Sequence, residues 1–222
     1  MDDAKLPGNR RDFLGLAATA AAAGLGAMVP VTGAVAAADE PGTDFTRWLD
    51  SIPGKHRQLY DMPELNNGMG LVWSWAFYAT GAPAYGVAES DLGVVVVLRH
   101  NALPLAFEDP AWAKYKLGEF FKIEDPDTKA PALRNPFYLK PGALPVPDAA
   151  LQKLIARGVK VAACNLALTF YSGMVAQRMG MKHDDVKKDW TEAVLPGIQL
   201  VPSGVVACNG GVSRGCAYVF AG

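Results

Sequence analysis

One cysteine of this chain occupies a position where a reactive thiol would be placed. Cys164 lies in the run "GVKVAACNLAL" (158–168) and is followed directly by Asn165. The residues before it predict a strand, and the residues after it predict a helix that Asn165 caps. Free backbone N–H groups at a helix start favour a thiolate, which attacks sulfur electrophiles or carries a persulfide. Spacing alone favours a buried structural cysteine, because cysteine is among the most buried residue types.

A histidine and an asparagine follow the clearest strand of the sequence, "LGVVVVLRH" (92–100). His100 can deprotonate or orient an acidic partner near Cys164 if the two strands are neighbours. A lone histidine at a strand end is more often simply hydrogen-bonded, so a structural role stays open. Asn101 comes next and is a candidate substrate-binding residue.

A third strand end carries Ser203 and Gly204, directly after "IQLVP" (198–202). We expect Ser203 to cap the following helix, and Gly204 to let a ligand or backbone approach closely. The backbone near Ser203 and Asn165 can donate to an anion. Because ligands of open parallel sheets bind beyond the carboxyl ends of the strands, each of these three strand ends is a candidate site.

The two other cysteines, Cys208 and Cys216, bring the total to three, so at least one thiol is unpaired within the chain. A Cys208–Cys216 disulfide is an alternative in an oxidising compartment, although helix-to-strand packing often holds such residues apart. No spacing matches a Cys₂His metal site, and no glycine-rich phosphate loop occurs. We therefore predict neither a metal nor a cofactor.

Strands alternate with helices along the chain, which favours a three-layer α/β/α fold with a mostly parallel, five-stranded sheet. The continuous valines predict a strand that is buried on both faces. Predicted strands cover 56–62, 92–100, 159–164, 198–202 and 216–220. Predicted helices cover 43–52, 70–82, 110–121, 165–180 and 203–214, and two more that Asp148 and Asp184 would cap.

The segment 122–147 interrupts this alternation with six prolines and no clear period. A structureless segment of that length is usually a lid, an interface arm or a binding loop. It can therefore cover the thiol, or it can present aromatic residues such as Phe137 and Tyr138 to a partner.

The amino-terminal residues have the pattern of an export signal. "NRRDFLG" (Asn9 to Gly15) carries a twin arginine, and an Ala/Gly-rich stretch follows to about residue 37. We predict a twin-arginine signal peptide at 1–38, a periplasmic destination and a single domain at 39–222.

The composition narrows the classes of partner. The chain has 222 residues, of which 50% are hydrophobic, and a formal net charge of −1. Without a basic stripe, nucleic acid is not an expected partner. No segment after the signal approaches the roughly 18 continuous apolar residues of a membrane span, so we predict no stable span in the mature chain.

Four segments resemble the DsrE/DsrF-like family of sulfur-relay proteins. They are "VVVVLRHN" (94–101), "LIARGVKVAACNLAL" (154–168), "VLPGIQLVPSGV" (194–205) and "GCAYVF" (215–220). The resemblance implies the three-layer fold, association into trimers or hexamers, and Cys164 as the sulfur-carrying cysteine. Its partners would be small sulfur species or a sulfur-acceptor protein. Asn101 stands where the family usually has glycine.

Two functions from different classes follow. The first is a periplasmic persulfide carrier or sulfurtransferase that uses Cys164, with assistance from His100. The second is a non-catalytic periplasmic binding or assembly module, with a buried Cys164 and an interface formed by 122–147.

Overall fold

A single sheet of five parallel strands forms the centre of the computed structural model, which describes residues 44–222. The predicted signal peptide, residues 1–38, lies outside the described residues. The strand order is β4-β3-β2-β1-β5, and every strand lies within two residues of its predicted bounds. The strands are β1 (His56–Met62), β2 (Leu92–Leu98), β3 (Lys160–Cys164), β4 (Ile198–Val201) and β5 (Cys216–Phe220).

Helices cover both faces of this sheet, which confirms the three-layer α/β/α architecture. Helices α1 and α8 pack on one face, where Trp48 and Ala207 belong to the same apolar core. The other core lies on the opposite face and includes Leu71 and Trp190. The helices are α1 (Asp44–Asp50), α2 (Met69–Tyr85), α3 (Asp109–Tyr115), α4 (Leu117–Phe121), α5 (Leu151–Ala156), α6 (Asn165–Met179), α7 (His183–Glu192) and α8 (Gly204–Val212).

The central strand is β2, and all seven of its residues are buried. Val94 and Val96 belong to one core, whereas Val95 and Val97 belong to the other. Alternate side chains of a strand point to opposite faces, so a run of valines suits a strand that is covered on both sides. The double burial predicted for this strand is therefore confirmed.

Three helix predictions need correction. The predicted helix 110–121 is two helices, because Lys116 adopts a left-handed conformation (φ 50°) between α3 and α4. Asp148 does not cap α5, which begins later, after Ala150; Asp148 lies in a 3₁₀ turn and pairs with Lys153 at 2.7 Å. Asp184 lies in the first turn of α7 and does not cap it.

The proline-rich segment 122–147 packs into the protein. Phe137 and Leu144 are 4% and 6% exposed and belong to the larger core. A Cβ atom on Gly68 would lie 2.5 Å from Leu144 Cδ2 and 2.8 Å from Phe137 Cε1, so the glycine is needed for this close approach. The expectation that Phe137 is an exposed aromatic is wrong.

A buried asparagine fixes the same segment to the domain. The Asn135 side chain, in a residue that is 2% exposed, donates to the carbonyl oxygens of Leu105 and Phe107 at 2.9 and 3.1 Å. Its backbone N–H donates to Asp109 at 2.8 Å. Tyr138 is only partly exposed and packs against the core. Prolines suppress regular hydrogen bonding here, but side-chain contacts replace it.

Within residues 44–222, no helix combines the length and the apolar character that crossing a bilayer requires.

Candidate functional site

The ends of three neighbouring strands meet at one cavity. Cys164 ends β3 and pairs with Val201 of β4, while β2 lies on the other side of β3. The cavity, of about 350 Å³, is bordered by Cys164, Arg99, His100 and Ser203. The strand order therefore brings together His100, Cys164, Ser203 and Gly204, because the strands that carry or precede them are neighbours.

Cys164 itself caps helix α6, and Asn165 is the first helical residue. The Cys164 sulfur accepts a hydrogen bond from the backbone N–H of Ala167 at 3.3 Å. The prediction that Asn165 caps the helix is wrong, because the extended backbone of β3 ends at Cys164 and makes that residue the cap. The sulfur thus lies at the positive end of α6, where negative charge is stabilised. The cysteine is 5% exposed.

A buried ion pair lies beside the thiol. Arg99 follows β2 directly, and its Nε and Nη2 donate to the two carboxylate oxygens of Asp61 at 2.6 and 2.9 Å. The Tyr218 hydroxyl donates to the same carboxylate at 2.7 Å. The side chains of Arg99 and Asp61 are 16% and 3% exposed, so both charges are largely removed from water. A bidentate pair of this kind fixes the guanidinium in one orientation.

The environment of Asp61 keeps it ionised. Burial raises the pKa of the carboxyl, but hydrogen bonds from Arg99 and Tyr218 outweigh it and hold the pKa below its ordinary value. The hydrogen bond to Asp61, together with burial, raises the pKa of Tyr218 to about 12. At neutral pH the cluster therefore contains one cation, one anion and one neutral phenol.

His100 is held by the same arginine. Arg99 Nη1 lies 2.9 Å from His100 Nδ1. A guanidinium has only donors, so Nδ1 accepts, and the ring carries its hydrogen on Nε2. His100 also has a left-handed backbone (φ 46°), which is uncommon for a residue other than glycine. Such conformations concentrate at functional sites, where surrounding contacts maintain them.

The first turn of α8 and the residue that caps it, Ser203, also border the cavity. The Ser203 hydroxyl accepts from the N–H of Val206 at 3.3 Å, so the predicted cap is confirmed. A Cβ atom on Gly204 would lie 2.7 Å from Cδ and 2.8 Å from Cβ of Arg99. Glycine is therefore needed at this position for the Arg99 side chain to reach Asp61.

Asn101 lies behind the cavity wall. Its amide nitrogen donates to both carboxylate oxygens of Glu64 at 3.1 and 2.9 Å, and its amide oxygen accepts from the Tyr171 hydroxyl at 3.0 Å. Tyr171 borders the cavity. The observed role of Asn101 is thus to position Tyr171, and its amide is occupied by protein groups.

The remaining wall of the cavity is apolar. Leu166 and Phe170 from α6, and Val205 from α8, border it together with Tyr171. Leu166, Phe170 and Val205 are 49%, 64% and 61% exposed. Large apolar side chains with this exposure, grouped around a thiol, are available to cover an apolar ligand. None of the residues that border the cavity comes from 122–147.

The other two cysteines are unlike Cys164. Both are buried free thiols, and neither borders the cavity. Burial, followed by the nearby Asp61 carboxylate, raises the pKa of Cys208 to about 12. Burial also raises the pKa of Cys216. These thiols stay protonated at neutral pH, which makes them poor nucleophiles.

Sequence reasoning missed Asp61, Arg99 and Tyr218. The available signal was a charged residue, Asp61, within the otherwise apolar second half of β1, and an arginine at the end of a buried valine run. Neither signal shows that the two residues form an ion pair, because they are 38 positions apart in the sequence.

Among the described residues, no group of three or more His, Cys, Asp or Glu side chains is arranged to hold a metal ion. A scan against protein-family models and a search of curated proteins both found no match to this chain.

Proposed function

We propose that this protein is a DsrE-like persulfide carrier, or sulfurtransferase, in which Cys164 takes up a sulfane sulfur and holds it for transfer. One observation carries the proposal: the Cys164 sulfur caps a helix at the carboxyl edge of a parallel sheet and borders a cavity with a fixed guanidinium. Thiolates and persulfide anions both gain stability at such a position.

The chemistry requires a donor with a weak sulfur–sulfur bond. The Cys164 thiol loses its proton to water, and the resulting thiolate attacks the terminal sulfur of a donor such as thiosulfate. A new sulfur–sulfur bond forms to Cys164, the donor bond breaks, and sulfite leaves with its electron pair. Arg99 and the Nε2–H of His100 donate hydrogen bonds to the anions. In the transfer step an acceptor thiolate attacks the outer sulfur of the persulfide, a sulfur–sulfur bond forms to the acceptor, and the bond to Cys164 breaks, which returns the Cys164 thiolate.

The proposal includes the setting in which the protein acts. The twin arginine in 9–15 supports export to the periplasm by the twin-arginine route. The family resemblance supports a trimer or hexamer that passes sulfur to small molecules or to an acceptor protein.

Intact-mass measurement tests the carrier function. Purified protein is incubated with thiosulfate or a polysulfide, and we expect an added mass of one sulfur atom that a reductant removes. Cys164→Ser abolishes the adduct, whereas Cys216→Ser, a matched change at a buried cysteine outside the cavity, leaves it unchanged. An adduct that survives in Cys164→Ser refutes the proposal, and so does the absence of any adduct on the unmodified protein.

The second function, a non-catalytic module, is supported by the burial of Cys164, which is 5% exposed. Its proposed interface loses support, because Phe137 is 4% exposed and packs in the core. Thiol alkylation discriminates between the two functions. Rapid modification of Cys164 in the folded protein favours the carrier, and complete protection favours the module.

A further inference from the structure

The charged side chains beside the cavity balance each other. Arg99 is a permanent cation, but Asp61 forms a bidentate pair with it and is ionised at neutral pH. His100 accepts from Arg99 at Nδ1 and carries its hydrogen on Nε2, so the ring adds no charge. The side chains of Arg99, Asp61 and His100 together therefore offer hydrogen-bond donors without an excess of positive side-chain charge, which suits a monoanion better than a dianion.

Arg99 retains capacity to bind such an anion. A guanidinium has five N–H hydrogens. Within residues 44–222, Arg99 uses three of them: Nε and Nη2 each donate one hydrogen bond to Asp61, and Nη1 donates one to His100. The other hydrogens on Nη1 and Nη2 have no hydrogen-bond acceptor in that range, and Arg99 borders the cavity.

The walls of the cavity favour an apolar group. Phe170 and Val205 are more than half exposed, and Leu166 is 49% exposed beside them. An inorganic oxyanion gains nothing from these side chains, because it is strongly hydrated and has no apolar surface to bury. A ring of benzene size occupies a cavity of about 150 Å³. The observed volume of about 350 Å³ accommodates one ring together with a small anionic group.

We propose that the sulfur donor of this site is an organic thiosulfonate, a monoanion in which a small apolar group is attached to the sulfonyl sulfur. The proposal rests on the carrier function of Cys164 and specifies its substrate class. The sulfonyl oxygens accept from Arg99, the apolar group lies among Leu166, Phe170 and Val205, and the terminal sulfur faces Cys164.

The reaction is balanced without a further reactant. The Cys164 thiolate attacks the terminal sulfur, the bond between that sulfur and the sulfonyl sulfur breaks, and an organic sulfinate leaves with the electron pair. The products are a Cys164 persulfide anion and a sulfinate anion, so two negative charges are present before and after the step. Arg99 stabilises the sulfinate as it forms.

The test compares three donors in single-turnover persulfidation, followed by intact mass. They are benzenethiosulfonate, methanethiosulfonate and thiosulfate, and each rate constant is divided by that of the same donor with N-acetylcysteine. After this correction we expect benzenethiosulfonate to react about tenfold or more faster than thiosulfate, with methanethiosulfonate between them.

A pair of variants ties the preference to the cavity. Phe170→Ala should slow benzenethiosulfonate about tenfold and leave thiosulfate unchanged, because the ring contact exists only for the organic donor. Met174→Ala is the matched control: Met174 lies one turn further along α6, is 43% exposed and does not border the cavity. It should change neither rate.

The outcomes separate this inference from the carrier function. If no donor forms a persulfide on Cys164, the carrier function itself fails. If thiosulfate reacts as fast as benzenethiosulfonate after correction, the substrate class is wrong and the carrier function stands. Equal slowing of all donors by Phe170→Ala, or no slowing of any, also overturns the substrate class.

Discussion

Replacing Asp61 by asparagine removes the negative charge from the buried cluster while keeping the shape of the side chain. Arg99 then loses both charge-assisted hydrogen bonds to the carboxylate, and Tyr218 loses its ionised acceptor. The asparagine oxygen can accept one of these bonds, but its NH₂ group faces another donor. An uncompensated guanidinium is left 16% exposed at the carboxyl edge of the sheet.

The size of the effect follows from burial. Removing one partner of a buried ion pair destabilises a protein by about 3–5 kcal/mol. Asp61 is nearly inaccessible at 3%, whereas Arg99 at 16% can recover part of its hydration. We therefore expect Asp61→Asn to lower the free energy of unfolding by about 3 kcal/mol at pH 7. Asp50→Asn is a suitable control, because Asp50 pairs with Arg214 at 2.7 Å but is 61% exposed. Its loss should cost less than about 1 kcal/mol.

Urea denaturation at a series of pH values tests the electrostatic origin of this stability. The folded-state pKa of Asp61 lies below its ordinary value, so its contribution is fully present above the unfolded pKa of about 4. The contribution is lost as the pH falls through the lower, folded pKa. The difference in unfolding free energy between the unmodified protein and Asp61→Asn should be constant from pH 8 to about pH 5 and should shrink below about pH 4.

Two results would refute this reasoning. The first is a difference smaller than about 1 kcal/mol at pH 7, which would mean that the pair behaves like a surface salt bridge. The second is a difference that stays constant down to about pH 3, which would mean that loss of shape or packing, and not loss of charge, destabilises the variant. Subtracting the two proteins at each pH cancels the titration of every other carboxylate.

Three further substitutions test other parts of the structure by urea unfolding. Gly204→Ala places a Cβ 2.7 Å from Arg99 Cδ and should lower the free energy of unfolding by about 1–3 kcal/mol. Its control is Gly173→Ala, where the nearest neighbouring atom lies at 3.5 Å. The free energy of unfolding of this control should be within about 1 kcal/mol of that of the unmodified protein, or higher. His100→Gly should be more stable than His100→Ala by about 1 kcal/mol, because the backbone there is left-handed. Phe137→Ala should cost about 3–5 kcal/mol, whereas Leu133→Ala, at a residue 60% exposed, should change stability by less than about 0.5 kcal/mol. Equal effects within any of these pairs would contradict the structural reason given for it.

The edge of the sheet on which the predicted site residues lie could be inferred from the sequence. The strands at 92–98 and 160–164 carry the small and β-branched residues of a sheet covered on both faces. Once strands alternate with helices, the sheet is parallel, and the carboxyl ends of its strands share one edge. His100, Cys164 and Ser203 each follow or end such a strand, so they share that edge, and the strand order of the structure then makes their strands neighbours.

The buried charges could not be predicted in the same way. Asp61 lies in "HRQLYDM", whose polar residues make it a weak strand by composition. The structure places this strand beside β2, with Met62 opposite Leu98, so that the next residue along, Arg99, reaches Asp61. Tyr218 reaches the same carboxylate from β5, on the other side of β1. Charge compensation thus depends on strand order and register, which local patterns do not contain.

The segment 122–147 shows a second limit of local patterns. Its prolines remove backbone donors and the 3.6- or 2-residue periodicity on which element prediction depends. Its packing depends instead on scattered contacts, such as Phe137 against Gly68 and Asn135 against backbone carbonyl groups. A segment without periodicity was therefore expected to be a lid, an interface arm or a binding loop, whereas the structure shows that it contributes to the core.

The missed ion pair also changes the interpretation of the site that was predicted. From the sequence, His100 was a candidate to deprotonate or orient an acidic partner near Cys164. In the structure its Nδ1 accepts from a guanidinium, so this nitrogen is not available as a base and the ring offers a hydrogen bond through Nε2. Because Asp61 neutralises Arg99, the cavity presents donors without net charge, next to exposed apolar side chains. Those are the properties that would distinguish an organic monoanion from an inorganic dianion, and the charge that neutralises Arg99 lies in β1, a strand that carries none of the residues first assigned to the site.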